Sequence, residues 1–174
     1  MGDKKFKYFR DPGNFAYKIT EVLPCSVCGD EGLWFDGGGF VGINQIECIC
    51  DDCLFTGKLV GLEIETNQAI GGTDKENEEI VHRTPSLPTW QDLMWPYVDD
   101  QYCVFECIAS KEDFVNFQEF QIAFSADEQE QIDLSWLWNG LPERKVKNYV
   151  DGNSNVSVYL FTCGAKKYCV CDAN

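Results

Sequence analysis

Cys25-Ser26-Val27-Cys28 and Cys50-Asp51-Asp52-Cys53 stand twenty-one residues apart and decide how the front of this chain folds. Each pair sets two thiols on one tight turn, where both can face one ion. The segment between them can form a hairpin that brings the turns together. Four thiolates would then surround a tetrahedral zinc ion at about 2.3 Å each. The spacing lies close to the CxxC…CxxC zinc pattern, on its long side. Cys25, Cys28, Cys50 and Cys53 are therefore the expected ligands of a structural zinc. Cys48 could replace Cys50, but the tight two-residue spacing would then be lost. A redox dithiol is the competing use of such a pair. It wants a thiol at a helix N-terminus, and neither turn leads into a long helical pattern.

Working outward, residues 18–23 read as a strand entering the first turn, and residues 45–50 as a strand returning to the second. Asp36-Gly37-Gly38-Gly39 between them reads as a hairpin turn; no GK[ST] follows, so it is not a phosphate loop. The fold class that follows is α+β: an N-terminal four-cysteine zinc-ribbon hairpin packed with a larger mixed domain. The boundaries are residues 1–60 for the strand and ribbon module, and 61–174 for an acidic α+β domain ending in a hairpin.

In that second part, residues 74–81 read as an acidic helix, broken by Thr84-Pro85 and Leu87-Pro88. Thr89 is a candidate N-cap for a further helix. Residues 101–110 alternate, which predicts a strand with Cys103, Phe105 and Cys107 on one face. Phe114, Phe117, Gln121 and Phe124 fall at helical spacing, with Phe120 beside them. Ser125-Ala126-Asp127-Glu128 matches a capping box and predicts a helix to about Trp138, with another over 141–149. Residues 156–162 and 168–170 read as a terminal hairpin around Gly164-Ala165-Lys166-Lys167. Trp90, Trp95, Trp136 and Trp138 are core candidates, with one or two as interface anchors.

The chain has 174 residues, 44% hydrophobic and 14% aromatic, enough to bury a core. No apolar run reaches the roughly 20 residues a membrane span needs. The charged start, Met1 to Lys7, leads into no apolar stretch, so the expected compartment is the cytoplasm. There, ten cysteines point to metal or redox chemistry rather than a disulfide framework. Cys103, Cys107, Cys163, Cys169 and Cys171 read as core packing ahead of a second metal site.

Net charge is −15, and it is unevenly placed. From Glu47 to Asp133 there are 20 acids and 4 bases, a balance of −16. Such a surface repels nucleic acid phosphates and steers a basic partner inward. His82 is the only histidine, and its place at the end of an acidic segment suits a capping or surface role. Arg83 is expected to pair with a neighbouring carboxylate.

Phe6-Lys7-Tyr8-Phe9-Arg10-Asp11-Pro12, the two CxxC pairs, His82-Arg83-Thr84-Pro85 before Trp90-Gln91, Cys103-Val104-Phe105 and Tyr159-Leu160-Phe161-Thr162-Cys163 together resemble the CbrC-like family of bacterial proteins. The resemblance implies a cytoplasmic bacterial protein with a zinc ribbon, associated with colicin tolerance and toxin immunity, and with no established enzymatic activity. Joined to the charge, it sets the expectation of a non-catalytic immunity protein. The partner would be a cognate toxin domain, a basic nuclease, with no nucleic acid or membrane bound. The candidate contacts are Asp51, Asp52, Glu76, Glu78, Glu79, Asp99, Asp100, Asp127, Glu128 and Glu130. Two alternatives stand beside it: an enzyme using Cys103 or a zinc-associated group near His82, and a zinc-ribbon adaptor in a regulatory complex.

Overall fold

Frequent glycine, proline and aspartate cut the front of the chain into strands too short to hold themselves. The computed structural model describes residues 5–89, 91–152 and 156–173. It divides into two units, Met1–Tyr102 and Cys103–Asn174. In the first, β1 (Leu23–Pro24) pairs with β2 (Glu31–Gly32), β3 (Phe35–Asp36) with β5 (Cys48–Ile49), and β4 (Val41–Gly42) with β6 (Ile64–Glu65). A fourth pair joins β7 (Tyr97–Val98) to β8 (Gln101–Tyr102). All four are antiparallel. Isolated two-stranded ladders are marginal in water, so the core carries the unit: Phe9, Ile49, Leu54, Leu59, Ile64, Ile80 and Trp95 are fully buried. Phe6 meets Phe35 and Phe55 edge-on at 5.8 and 5.9 Å. The sequence boundary at residue 60 falls inside this unit, between paired β4 and β6.

Among its described residues, three α-helices complete it, beside a 3-10 turn at Val60–Leu62. Asp11 caps α1 (Pro12–Phe15), with proline at its start. Cys50 caps α2 (Asp51–Phe55) through its sulfur. Thr73 and Glu76 close a capping box on α3 (Asp74–Arg83), the predicted acidic helix, which runs two residues further than its pattern suggested. Its exit is tied down by buried side chains: Thr66 Oγ1 donates to the Thr84 carbonyl at 2.6 Å, and Asn67 Nδ2 donates to the Pro85 carbonyl at 3.0 Å. Satisfying carbonyls that a helix end leaves open is what lets this end be buried. The helix predicted from Thr89 does not form over 91–95; Gln91 N–H bonds the Thr89 hydroxyl instead. Trp90 lies outside the described residues.

The second unit is built on one antiparallel sheet in the order β11-β10-β9, from β9 (Val104–Ile108), β10 (Val156–Cys163) and β11 (Lys166–Ala173). Gly164, at φ 60°, begins the two-residue loop of the terminal hairpin, where a II′ turn takes glycine. The predicted hairpin is present and longer than read. On one face, Val158, Leu160 and Cys169 pack with Phe114, Phe120, Phe124, Leu134, Leu137 and Leu141. These come from the segments around α4 (Phe117–Ile122), α5 (Ala126–Gln131) and α6 (Leu134–Gly140).

Three expectations are corrected here. The Ser125–Glu128 capping box does start α5, but Ile132 is extended and Asp133 caps a separate α6, so one helix becomes two. Residues 141–148 are not helical; only α7 (Tyr149–Gly152) follows. Cys107 also leaves the face shared by Cys103 and Phe105. Leu160 pairs with Cys107 and Phe161 with Phe105, so Glu106 is an extra residue in β9. A bulge of this kind turns the following side chain to the other face. Accordingly Phe105 meets Tyr159 and Phe161, while Cys107 packs beside the Leu160 cluster.

The register next aligns Cys103 with Cys163, and these form a disulfide with Cα atoms 4.5 Å apart, the separation of a non-hydrogen-bonded cross-strand pair. They are therefore not free core thiols. Among the tryptophans, Trp95 is buried, Trp138 packs on Phe114, Phe117 and Phe120, and Trp136 is exposed. No helix among the described residues is long and apolar enough to cross a membrane.

Candidate metal centre

The first cysteine pair sits just past β1, on a turn held at both ends. Cys25 N–H donates to the Asp30 carbonyl at 2.8 Å, and Gly29 N–H to the Cys25 carbonyl at 2.9 Å. Gly29 has φ 83° with open space where a Cβ would stand; the turn needs glycine for its backbone, not for room. Ser26 then clamps this turn to the returning strand. Its N–H donates to the Cys48 carbonyl at 3.0 Å, and its hydroxyl accepts from Glu47 and Cys48 N–H at 3.2 and 3.3 Å.

The second pair is arranged differently from a second hairpin turn. Cys50 is the N-cap of α2, and Cys53 lies in its first turn. One ligand pair thus comes from a β-turn and the other from a helix start. Helix spacing brings Cys53 N–H to the Cys50 sulfur at 3.4 Å, while Cys50 N–H reaches across to the Cys25 sulfur at 3.3 Å.

All four sulfurs lie within 4.8 Å of one another. In a tetrahedron with metal–sulfur bonds of about 2.3 Å, sulfurs are about 3.8 Å apart. Cys28 and Cys50 stand 3.7 Å apart, so one edge has that length. The residues predicted from spacing are the ones the fold brings together, and they fit a metal ion. Cys48 does not replace Cys50: it is fully buried, and its thiol donates to the Pro24 carbonyl at 3.4 Å.

The metal-free thiols differ in acidity. Burial pushes Cys25 up, but the N–H groups of Cys28, Cys50 and Val27 outweigh it and bring the thiol down to about 7. Burial pushes Cys50 up to about 11. It raises Cys53 as well, with the neighbouring sulfurs adding to it. Cys50 and Cys53, two buried sulfurs that resist ionising alone, are suited to a divalent cation, which stabilises the thiolates together. A redox pair would instead need one lowered thiol standing in reach of substrate; here Cys25 is buried and Cys50 raised.

Over residues 4–173 the chain matches the Uncharacterised protein family UPF0167. The chain belongs to that family. The matched span contains all four clustered cysteines and the strands of both units. No solved structure matches this UPF0167 member.

The ten candidate partner acids of the UPF0167 chain lie on four elements. Asp51 and Asp52 are on α2, with Asp52 exposed; Glu76, Glu78 and Glu79 are on α3; Asp99 and Asp100 form the exposed β7–β8 turn; Asp127, Glu128 and Glu130 are on α5. Some already have local work. Glu76 closes the α3 capping box and is held below the usual carboxylate range by Thr73. Glu128 closes the α5 box. Glu78 pairs with Arg83 at 3.0 Å, the ion pair expected of that arginine. His82 Nδ1 lies 2.7 Å from the Ile64 carbonyl. A carbonyl only accepts, so Nδ1 carries the proton and ties α3 to β6. The sequence reading missed the Ser26 clamp and the Cys103–Cys163 bond; nothing in local spacing signals either.

Proposed function

We propose that this protein is a CbrC-like immunity protein that binds and neutralises a cognate bacterial toxin domain, a basic nuclease, in the cytoplasm. The reading is non-catalytic. The metal is zinc, held by Cys25, Cys28, Cys50 and Cys53, and its role is structural. The observation that carries the reading is the placement of charge: 20 acids against 4 bases from Glu47 to Asp133, with Asp52, Glu78, Asp99, Asp100, Asp127 and Glu130 exposed.

Such a surface docks on a positive cleft, excludes nucleic acid from it and inverts the local potential. Long-range attraction also speeds capture, toward about 10⁸ M⁻¹s⁻¹ at low salt. That matters against a catalytic toxin, which does harm for as long as it stays free. The cytoplasm is reducing, and the burial of Cys103 and Cys163 at 0% and 4% exposure would shield their bond there.

The test is capture of the tagged protein from its native cells at low salt, with co-expression of the captured partner. A basic nuclease domain that elutes as salt rises, and whose toxicity this protein suppresses, is the expected result. Capture that repeatedly returns no basic toxin, with toxin known to be expressed, overturns the reading. Elemental analysis of the purified protein should return one zinc per chain; a ratio near zero under reducing conditions removes the zinc assignment.

A further inference from the structure

The β4–β6 ribbon has one inward and one outward face. Gly42 pairs with Ile64, and Ile64 is fully buried. Side chains alternate along a strand, so Val41 points the other way, and Ile43, in the bend that follows β4, is exposed as well. Opposite them stand Glu65, the register partner of Val41, and Glu63, whose carbonyl accepts from Ile43 N–H at 3.2 Å. The exposed residues of the ribbon and its flanks are therefore two aliphatic side chains, Val41 and Ile43, across from two carboxylates, Glu63 and Glu65. Val41 is 61% exposed and Ile43 78%. Val60, 41% exposed, adjoins them through the Glu63 N–H bond to its carbonyl. Glu63 holds φ 53°, a left-handed conformation that a residue with a side chain adopts at a cost.

We infer that this face is a docking surface for a basic protein domain: Val41, Ile43 and Val60 supply the dry contact, and Glu63 and Glu65 pair with lysine or arginine at its edge. The inference rests on the toxin-binding reading and locates its interface on residues outside the ten acids named above. Charge selects the occupant. A second copy of a −15 chain would set Glu63 and Glu65 against like charge. Anionic lipid and nucleic acid are repelled for the same reason. A basic protein is attracted and also offers apolar surface for the valines and isoleucine.

The test is photocross-linking in native cells from a benzoyl-phenylalanine placed at Ile43 in the full chain, with a second probe at Glu130. The expected result is an Ile43 adduct to a protein of pI above about 9. Its yield should fall by about tenfold or more in E63K/E65K and in V41S/V60S, with the circular dichroism of both variants unchanged. A basic adduct from Glu130 but none from Ile43 overturns the inference and leaves toxin binding intact. An Ile43 adduct to a second copy, or one indifferent to E63K/E65K, also overturns it. If neither probe traps a basic protein, the inference and the toxin-binding reading fall together.

Discussion

Asp99 and Asp100 occupy φ values of 50° and 59° at the tip of the β7–β8 hairpin. Tyr97 pairs with Tyr102 and Val98 with Gln101, leaving these two as a two-residue loop. A loop with positive φ at both positions is type I′, which prefers Asn-Gly. Two aspartates there add left-handed strain and place like charges side by side. Asp100→Gly should therefore raise stability by about 1 kcal/mol, read as a higher urea midpoint at unchanged slope. A lower midpoint would mean that the Asp100 carboxylate makes a contact worth more than the strain. The pair was hard to read as a turn beforehand, because Asp-Asp carries no glycine to mark the bend. Gly29, by contrast, follows its cysteine pair directly, and the four ligands were readable because each pair is set by two-residue spacing alone. The helical start at Cys50 was not, since five residues show no period.

At the scale of the element, the bulge at Glu106 decides which cysteines can meet. Strict alternation puts Cys103, Phe105 and Cys107 on one face; one extra residue sends Cys107 to the helix side and leaves Cys103 opposite Cys163. Strand pairing over 60 residues of separation set that register, so no local pattern could disclose it. The same limit explains α5 and α6. The capping box fixed where α5 begins, while its end at Ile132 was set by Leu134 and Leu137 turning toward the sheet. The bond closes a long loop, and the chain-entropy model gives about 4 kcal/mol for one of this length. Cys163→Ala should thus lower the stability of the second unit by roughly 2–4 kcal/mol, measured by denaturant under non-reducing conditions. A change within 0.5 kcal/mol, or about the size of an ordinary surface substitution, would show that the two thiols are not joined in solution.

Across the whole molecule, the two units carry different cysteine chemistry: buried and half-buried thiols in the second, and a four-cysteine cluster that could hold a metal ion in the first. In the second, burial raises Cys107 to about 12 and Cys171 to about 11, and raises Cys169 too. Unfolded thiols ionise near about 8.5. Above that pH the unfolded chain has released protons that the folded unit still holds. Stability is therefore full below about 8.5 and falls as pH rises toward the folded values. Denaturant midpoints from pH 7 to 10.5 should decline, and less steeply in Cys107→Ala; a flat profile would contradict the burial of these sulfurs. In the first unit, ligand thiols must lose protons to hold an ion, so acid releases it. A strong chelator should erase hydrogen-exchange protection around residues 23–65 and leave β9, β10 and β11 protected. Equal loss in both units, or none in either, would refute the structural role of the metal.

The two-residue ladders around Cys25, Cys28, Cys50 and Cys53 have a consequence for supply. A fold gathered around an ion is populated according to how much of that ion is free. While the free ion stays well above its dissociation constant, each tenfold fall removes about 1.4 kcal/mol. If Cys25, Cys28, Cys50 and Cys53 hold such an ion, the first unit becomes a gauge of the cell's trace-element buffering. Under starvation for the ion, its abundance would drop through proteolysis of opened chains, with no change in how often its gene is read.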